Sequence, residues 1–160
     1  MRGGRILLVE DEAPKCAHIE RFLKGVCPGL TVTVARSVNS ALDALDERTP
    51  DLLLLDMSLT TFDVGERESG GRPQGFGGIE ILRHMKLSEI SSPTIVITGY
   101  EAFAREVGKP VELSQLSAEL QREFPQLLRG VLHYNSTYDE WKTELKQILT
   151  EVGFLPGGEE

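Results

Sequence analysis

Two short aliphatic runs end abruptly in acids, and this pattern limits the possible folds more than any other feature of the chain. Residues 6–9 read Ile-Leu-Leu-Val and run into Glu10, Asp11 and Glu12; residues 52–55 read Leu-Leu-Leu-Leu and run into Asp56. A strand with one wetted face alternates apolar and polar side chains, so an unbroken apolar run marks a strand covered on both faces. Strands covered on both faces belong to parallel sheets sandwiched between helices. The chain therefore points to an α/β fold with acids at the rim of its sheet.

The rest of the sequence supplies the alternation that such a fold needs. Pro14 suits the first turn of a helix, where its missing N–H costs nothing, and Cys16, Ile19, Phe22, Leu23 and Val26 recur at helical spacing before Pro28-Gly29. Residues 30–35 are rich in β-branched side chains and read as the second strand. Ser37 or Asn39 caps a helix carrying Val38, Ala41, Leu42 and Leu45, which Pro50 closes. After the third strand, residues 59–77 lack apolar periodicity and read as a long loop, followed by a helix with Ile79, Leu82 and Met85 on one face. Residues 92–98 are the fourth strand. A helical stripe of Leu113, Leu116, Leu120, Phe124 and Leu127 is interrupted by Pro125, residues 130–135 read as the fifth strand, and residues 139–152 form a terminal helix with Trp141, Leu145, Ile148, Leu149 and Val152 on one face. Right-handed crossovers favour a flavodoxin-like doubly wound sheet of five parallel strands in the order 2-1-3-4-5, with helices on both faces. We expect one domain over residues 1–155, enlarged at 59–77 and 101–129, and a tail over 156–160.

The 160 residues carry 17 Lys and Arg against 25 Asp and Glu, a formal net charge of −8. This repels phosphate backbones and argues against nucleic acid as a partner. No apolar run is long enough to cross a bilayer, and the N-terminus lacks a signal peptide, so no membrane association and a cytoplasmic location are expected. Cys16 and Cys27 read as reduced packing residues rather than a disulfide or metal pair. His18 lies off the apolar stripe of the first helix and reads as exposed, while His84 and His133 are scattered; the three do not form a metal site.

In a doubly wound sheet the ligand site lies beyond the carboxyl ends of the strands, near the switch point between the first and third. Glu10, Asp11 and Glu12 end the first strand, Asp56 the third and Thr98 the fourth, so this topology makes them converge. Gathered carboxylates raise one another's proton affinity unless a cation compensates, and Mg²⁺ held by one or two carboxylates and several waters suits such a pocket.

The segments Ile-Leu-Leu-Val-Glu-Asp-Glu at 6–12, Asp-Leu-Leu-Leu-Leu-Asp-Met at 51–57 and Ile-Val-Ile-Thr at 95–98 resemble those of response-regulator receiver domains of two-component signalling. Gly78-Ile79-Glu80 resembles the start of that family's third helix. The resemblance implies that Asp56 is the phospho-acceptor and that Glu10 and Asp11 form an acidic Mg²⁺ pocket. It further implies that Asp11 and Asp56 ligate the metal together with the backbone carbonyl of Ser58, and that Thr98 is the switch hydroxyl. It implies a phosphoryl supply from a sensor histidine kinase or phosphotransfer protein and a downstream effector protein as partner. The chain is then no enzyme beyond its own phosphorylation and dephosphorylation, and a stand-alone receiver, since the fold uses all of its residues.

Three departures separate the chain from the family pattern. Asp56 and Gly78 lie 22 positions apart, so the loop beside the acceptor is enlarged. Receivers end their fifth strand with a Lys-Pro pair whose lysine contacts the phosphoryl group; here the only Lys-Pro is Lys109-Pro110, 11 positions after Thr98, and the lysine's place falls near Tyr134 or Asn135, neither a cation. Lys109 reads as a surface residue. Val131 stands where many receivers keep a rotating aromatic. These departures leave open a second function, a phosphorylation-independent interaction module using segments 59–77 and 101–129. A Mg²⁺-dependent phosphatase of related topology is disfavoured, because such enzymes carry an Asp-x-Asp motif and the residue two after Asp56 is Ser58.

Overall fold

A computed structural model of the protein describes residues 4–57, 59, 77–99, 102–104, 110–135 and 137–154. Its main sheet has five parallel strands: β1 (Arg5–Val9), β2 (Thr31–Ala35), β3 (Leu52–Leu55), β4 (Thr94–Thr98) and β7 (Leu128–His133), in the spatial order β2-β1-β3-β4-β7. This is the 2-1-3-4-5 doubly wound order that the sequence pattern predicts. A separate antiparallel pair, β5 (Ala102–Ala104) and β6 (Pro110–Glu112), lies between β4 and the next helix.

The unbroken apolar runs feed two cores. Leu7, Val9, Leu53, Leu55 and Val96 point to one face of the sheet, against helices α2 (Val38–Glu47), α3 (Gly77–Leu87) and α4 (Leu113–Glu123). Ile6, Leu8, Leu52, Leu54, Ile95 and Ile97 point to the other, against α1 (Ala13–Val26) and α5 (Glu140–Glu151). Successive residues of a strand face opposite ways, so each must be apolar when both faces are covered. Trp141 of α5 is buried in the second core, and its indole N–H donates to the Asn135 carbonyl at 3.1 Å.

Of the two candidate caps for α2 it is Ser37 that serves. Its hydroxyl accepts from the Ser40 backbone N–H at 3.1 Å, while the Ser40 hydroxyl accepts from the Ser37 N–H at 3.0 Å. Ser37 is wholly buried, so water cannot replace the lost bond. Ser37→Ala is expected to lower stability by about 1 kcal/mol, seen as a lower urea midpoint with an unchanged slope.

The fifth strand of the sheet starts at Leu128, two residues before the expected 130, and the preceding helix ends at Glu123. Pro125 cannot donate into a helical ladder, and the chain turns instead, with the Leu127 and Leu128 N–H groups both donating to the Phe124 carbonyl. Segment 101–129 thus holds the β5–β6 pair, α4, which is the crossover to β7, and the first two residues of β7. In the long loop, Leu59 is buried in the first core, and the expectations for residues 60–76 and for the tail lie outside the described residues.

Candidate functional site

Sheet hydrogen bonds continue one residue past β1 and β3 and fix the two acids that follow. The Glu10 N–H donates to the Ala35 carbonyl at 3.0 Å and the Asp56 N–H to the Val9 carbonyl at 3.1 Å. Glu10 is 1% and Asp56 6% exposed; Asp11 is half-buried. One carboxylate oxygen from each of Glu10, Asp11 and Asp56 lies within 4.8 Å of the other two. Two distant stretches, the ends of β1 and β3, therefore deliver their acids to one pocket, as the topology requires.

A glycine makes room for the pocket's floor. A Cβ on Gly78 would lie 2.6 Å from the Asp56 carbonyl oxygen and 2.5 Å from Met57 Cε, and the Gly78 N–H donates to the Met57 carbonyl at 3.0 Å. The start of α3 thus packs directly on the backbone that carries Asp56, an approach that any side chain at position 78 would block.

Thr98 ends β4, and its carbonyl accepts from the Tyr134 N–H at 2.8 Å, so β4 and β7 are still tied at the rim. The Thr98 hydroxyl is fully buried and has no hydrogen-bond partner among the described residues. Buried hydroxyls are nearly always paired, which sets this one apart among the described residues. Ser58, Lys109 and Tyr100 lie outside the described residues.

Sequence reasoning missed the pocket's cation. Lys15, in the first turn of α1, is only 3% exposed. Its ammonium lies 2.8 Å from Glu10 Oε1 and 3.4 Å from Asp56 Oδ1, and donates to the Ile97 carbonyl at 2.9 Å. The absence of lysine at the end of the fifth strand is real, since Tyr134 follows β7, but the pocket is not without a positive charge. The signal was present in the spacing: Lys15, Ile19 and Leu23 recur every four residues, which places Lys15 on the buried stripe of α1 beside three strand-end acids.

His18 is also misread as exposed from sequence. It is half-buried, its Nδ1 lies 2.8 Å from the Tyr134 hydroxyl, and its ring meets that of Trp141 edge-on at 5.2 Å. The Tyr134 ring in turn covers the Lys15 ammonium at 5.5 Å from the ring centre.

The electrostatics follow from burial. Desolvation pushes the Glu10 carboxyl up from 4.5 to about 7, with Lys15 opposing that rise and Asp56 adding to it. Burial, and then the Asp56 charge, also raise Asp11. For Lys15 burial acts to lower the proton affinity, but the charges of Asp56 and Glu10 outweigh it and the net shift is upward, so the side chain stays an ammonium. A group of hard oxygens that hold their protons this tightly suits a hard divalent cation, because coordination replaces the protons.

A doubly wound five-stranded sheet with an acid pocket beyond the carboxyl ends of its first and third strands defines a receiver-type domain. No protein-family model matches the chain. Detocs response regulatory protein DtcB of Vibrio alginolyticus is 31% identical over 121 residues, which are 74% of this chain and 80% of that protein. Its namesake in Enterobacter cloacae is 26% identical over 151 residues, 92% of this chain and 99% of the other. The uncharacterized transcriptional regulatory protein YkoG of Bacillus subtilis is 28% identical over 88% of this chain, which spans 56% of that longer protein. The chain belongs to the response-regulator receiver family of two-component signalling. Among solved structures, the receiver domain of a putative LuxO repressor protein from Vibrio parahaemolyticus shares the fold at a TM-score of 0.64, with 18% identity, over 96% of this chain and 95% of that one. The response regulator TrrA of Thermotoga maritima, solved with Mg²⁺ and BeF, does so at 0.57 and 18% identity over 93% of this chain and all of that one. Among the described residues no helix is long and apolar enough to cross a membrane.

Proposed function

We propose that this chain is a receiver in which Asp56 accepts a phosphoryl group from a sensor histidine kinase or phosphotransfer protein, with Mg²⁺ assisting, and that the modified domain signals through a partner protein. One observation carries the reading: Glu10, Asp11 and Asp56 share a pocket at the rim of the sheet, where the buried Thr98 hydroxyl also ends β4 unpaired among the described residues. Asp11 and Asp56 are the metal ligands in this reading, with the Ser58 carbonyl completing the protein's share and Glu10 shaping the acid pocket. Bound there, Mg²⁺ screens the pocket's negative charge from an incoming phosphoryl group. A carboxylate oxygen of Asp56 supplies the electron pair for the new bond to phosphorus, and the donor's leaving atom departs with the pair of the broken bond. Hydrolysis of the resulting acyl phosphate returns the free carboxylate, so the only chemistry is on the protein itself. Thr98 then hydrogen-bonds a phosphoryl oxygen, which biases the packing of β4 and β7 and alters the surface beside them.

We assign residues 1–155 to this single domain and 156–160 to a tail. With a net charge of −8, a protein partner fits better than nucleic acid. The test is intact-mass measurement of the protein incubated with acetyl phosphate and Mg²⁺. A gain of one phosphoryl group, absent when a chelator is present from the start, is the expected result. No gain under these conditions overturns the reading in favour of a phosphorylation-independent interaction module.

A further inference from the structure

We propose that Lys15, from the first turn of α1, binds the phosphoryl group on Asp56 in place of the lysine that receivers carry at the end of their fifth strand. The inference rests on phosphoryl acceptance at Asp56 and adds the residue that stabilises its charge. Lys15 touches three strand ends at once: Glu10 after β1, Asp56 after β3 and the Ile97 carbonyl beside Thr98 in β4. An ammonium there borders the acceptor and the strand that ends at Thr98, whose hydroxyl has no partner among the described residues.

Burial argues that this position is built rather than incidental. An exposed lysine satisfies itself with water, whereas withdrawing an ammonium to 3% exposure carries a large desolvation cost that only close partners offset. The neighbours on the β7 side complete the arrangement. Tyr134, directly after β7, supplies a ring face over the ammonium, and its hydroxyl is tied to His18 Nδ1 one turn further along α1. The strand end that lacks a lysine thus forms the wall that holds a lysine from the helix in place.

Charge balance gives Lys15 a task that a divalent cation alone leaves unfinished. Three carboxylates are neutralised by one Mg²⁺ and one ammonium. Phosphorylation replaces the single charge of Asp56 with about two on the phosphoryl group. Without Lys15 that excess doubles in a pocket with little water to screen it. A simple counter-ion for Glu10 would need no reach to Asp56 and Ile97.

The experiment compares phosphorylation rates by acetyl phosphate for the wild type and Lys15→Met, alongside a calorimetric titration of each with Mg²⁺. A charge-assisted contact removed from the phosphoryl group is expected to slow uptake about ten- to a hundredfold. Mg²⁺ affinity is expected to be undiminished or higher, because a competing cation has left the acids. Lys15→Gln keeps a donor for Glu10 and Ile97 without the charge; it serves as the folded comparison if methionine disrupts the domain, and is expected to show the same loss. Equal rates for the wild type and either folded variant overturn this inference and leave Asp56 as acceptor. Parallel loss of Mg²⁺ binding in both variants also overturns it, since a structural role alone accounts for that. A wild type that takes up no phosphoryl group overturns the inference together with the function on which it rests.

Discussion

Asp56→Ala is expected to take up no phosphoryl group from acetyl phosphate and Mg²⁺, and Asp56→Asn, which keeps the volume, is expected to be equally silent. The neighbouring acids cannot take its place. Glu10 is 1% exposed, pinned by Lys15 at 2.8 Å and by the Glu12 N–H, which donates to its second oxygen at 3.0 Å. Asp11 is a metal ligand in the proposed reading, so its carboxylate is engaged by the cation rather than free to attack phosphorus. Loss of activity in Asp56→Asn is not loss of fold, because Asp56 is one of the charges that push up the proton affinities of Glu10 and Asp11, and its removal relieves that repulsion. Intact mass together with circular dichroism checks both halves of the prediction. A phosphoryl group still present in either variant would move the acceptor to another residue.

The parts of this molecule that were readable in advance are those where one physical requirement dominates a short stretch. A strand buried on both faces must be apolar at every position, so β1, β3 and β4 announce themselves, and the residues that break the runs must lie at the rim. That places Glu10, Asp11 and Asp56 in one pocket and Thr98 at the same rim of the sheet. Elements governed by two competing requirements were harder. The stripe of α4 runs on through Phe124, Leu127 and Leu128 because these residues join the same core, although Pro125 has already ended the helix, so the start of β7 is hidden within a helical pattern. The three-residue strands of the β5–β6 pair are too short to show a period.

Lys15 is passed over and His18 misread as exposed for a shared reason. A charged or polar residue on a helix is ordinarily solvated, and the exception depends on what the sheet brings opposite it. For Lys15 these are acids from two strands, and for His18 a tyrosine 116 positions away. Sequence spacing shows which face of a helix a residue occupies; only the assembled topology shows whether a partner waits there.

The pocket's acids also make the stability of the metal-free protein depend on pH in an unusual direction. Glu10 binds its proton with an affinity of about 7 in the folded protein against 4.5 in a solvated chain, chiefly because burial penalises the carboxylate. Between those values the folded state keeps a proton that the unfolded state has released, so stability is greatest below about 4.5 as far as Glu10 is concerned and falls as pH rises towards 7. At 1.36 kcal/mol per unit the loss amounts to about 3 kcal/mol across that window. Paired surface carboxylates act the opposite way, so the clean measurement is a difference. Glu10→Gln, which carries no titrating group, is expected to gain on the wild type by about 2 kcal/mol between pH 5 and 7 when both are unfolded in denaturant with a chelator present. Mg²⁺ is expected to close the gap at pH 7, because an ion bound only by the folded state adds about 2.7 kcal/mol at a hundred times its dissociation constant and favours the carboxylate that the empty pocket penalises. A difference that stays flat with pH would mean that Glu10 is already ionised in the folded protein at pH 5, with Lys15 fully offsetting its burial.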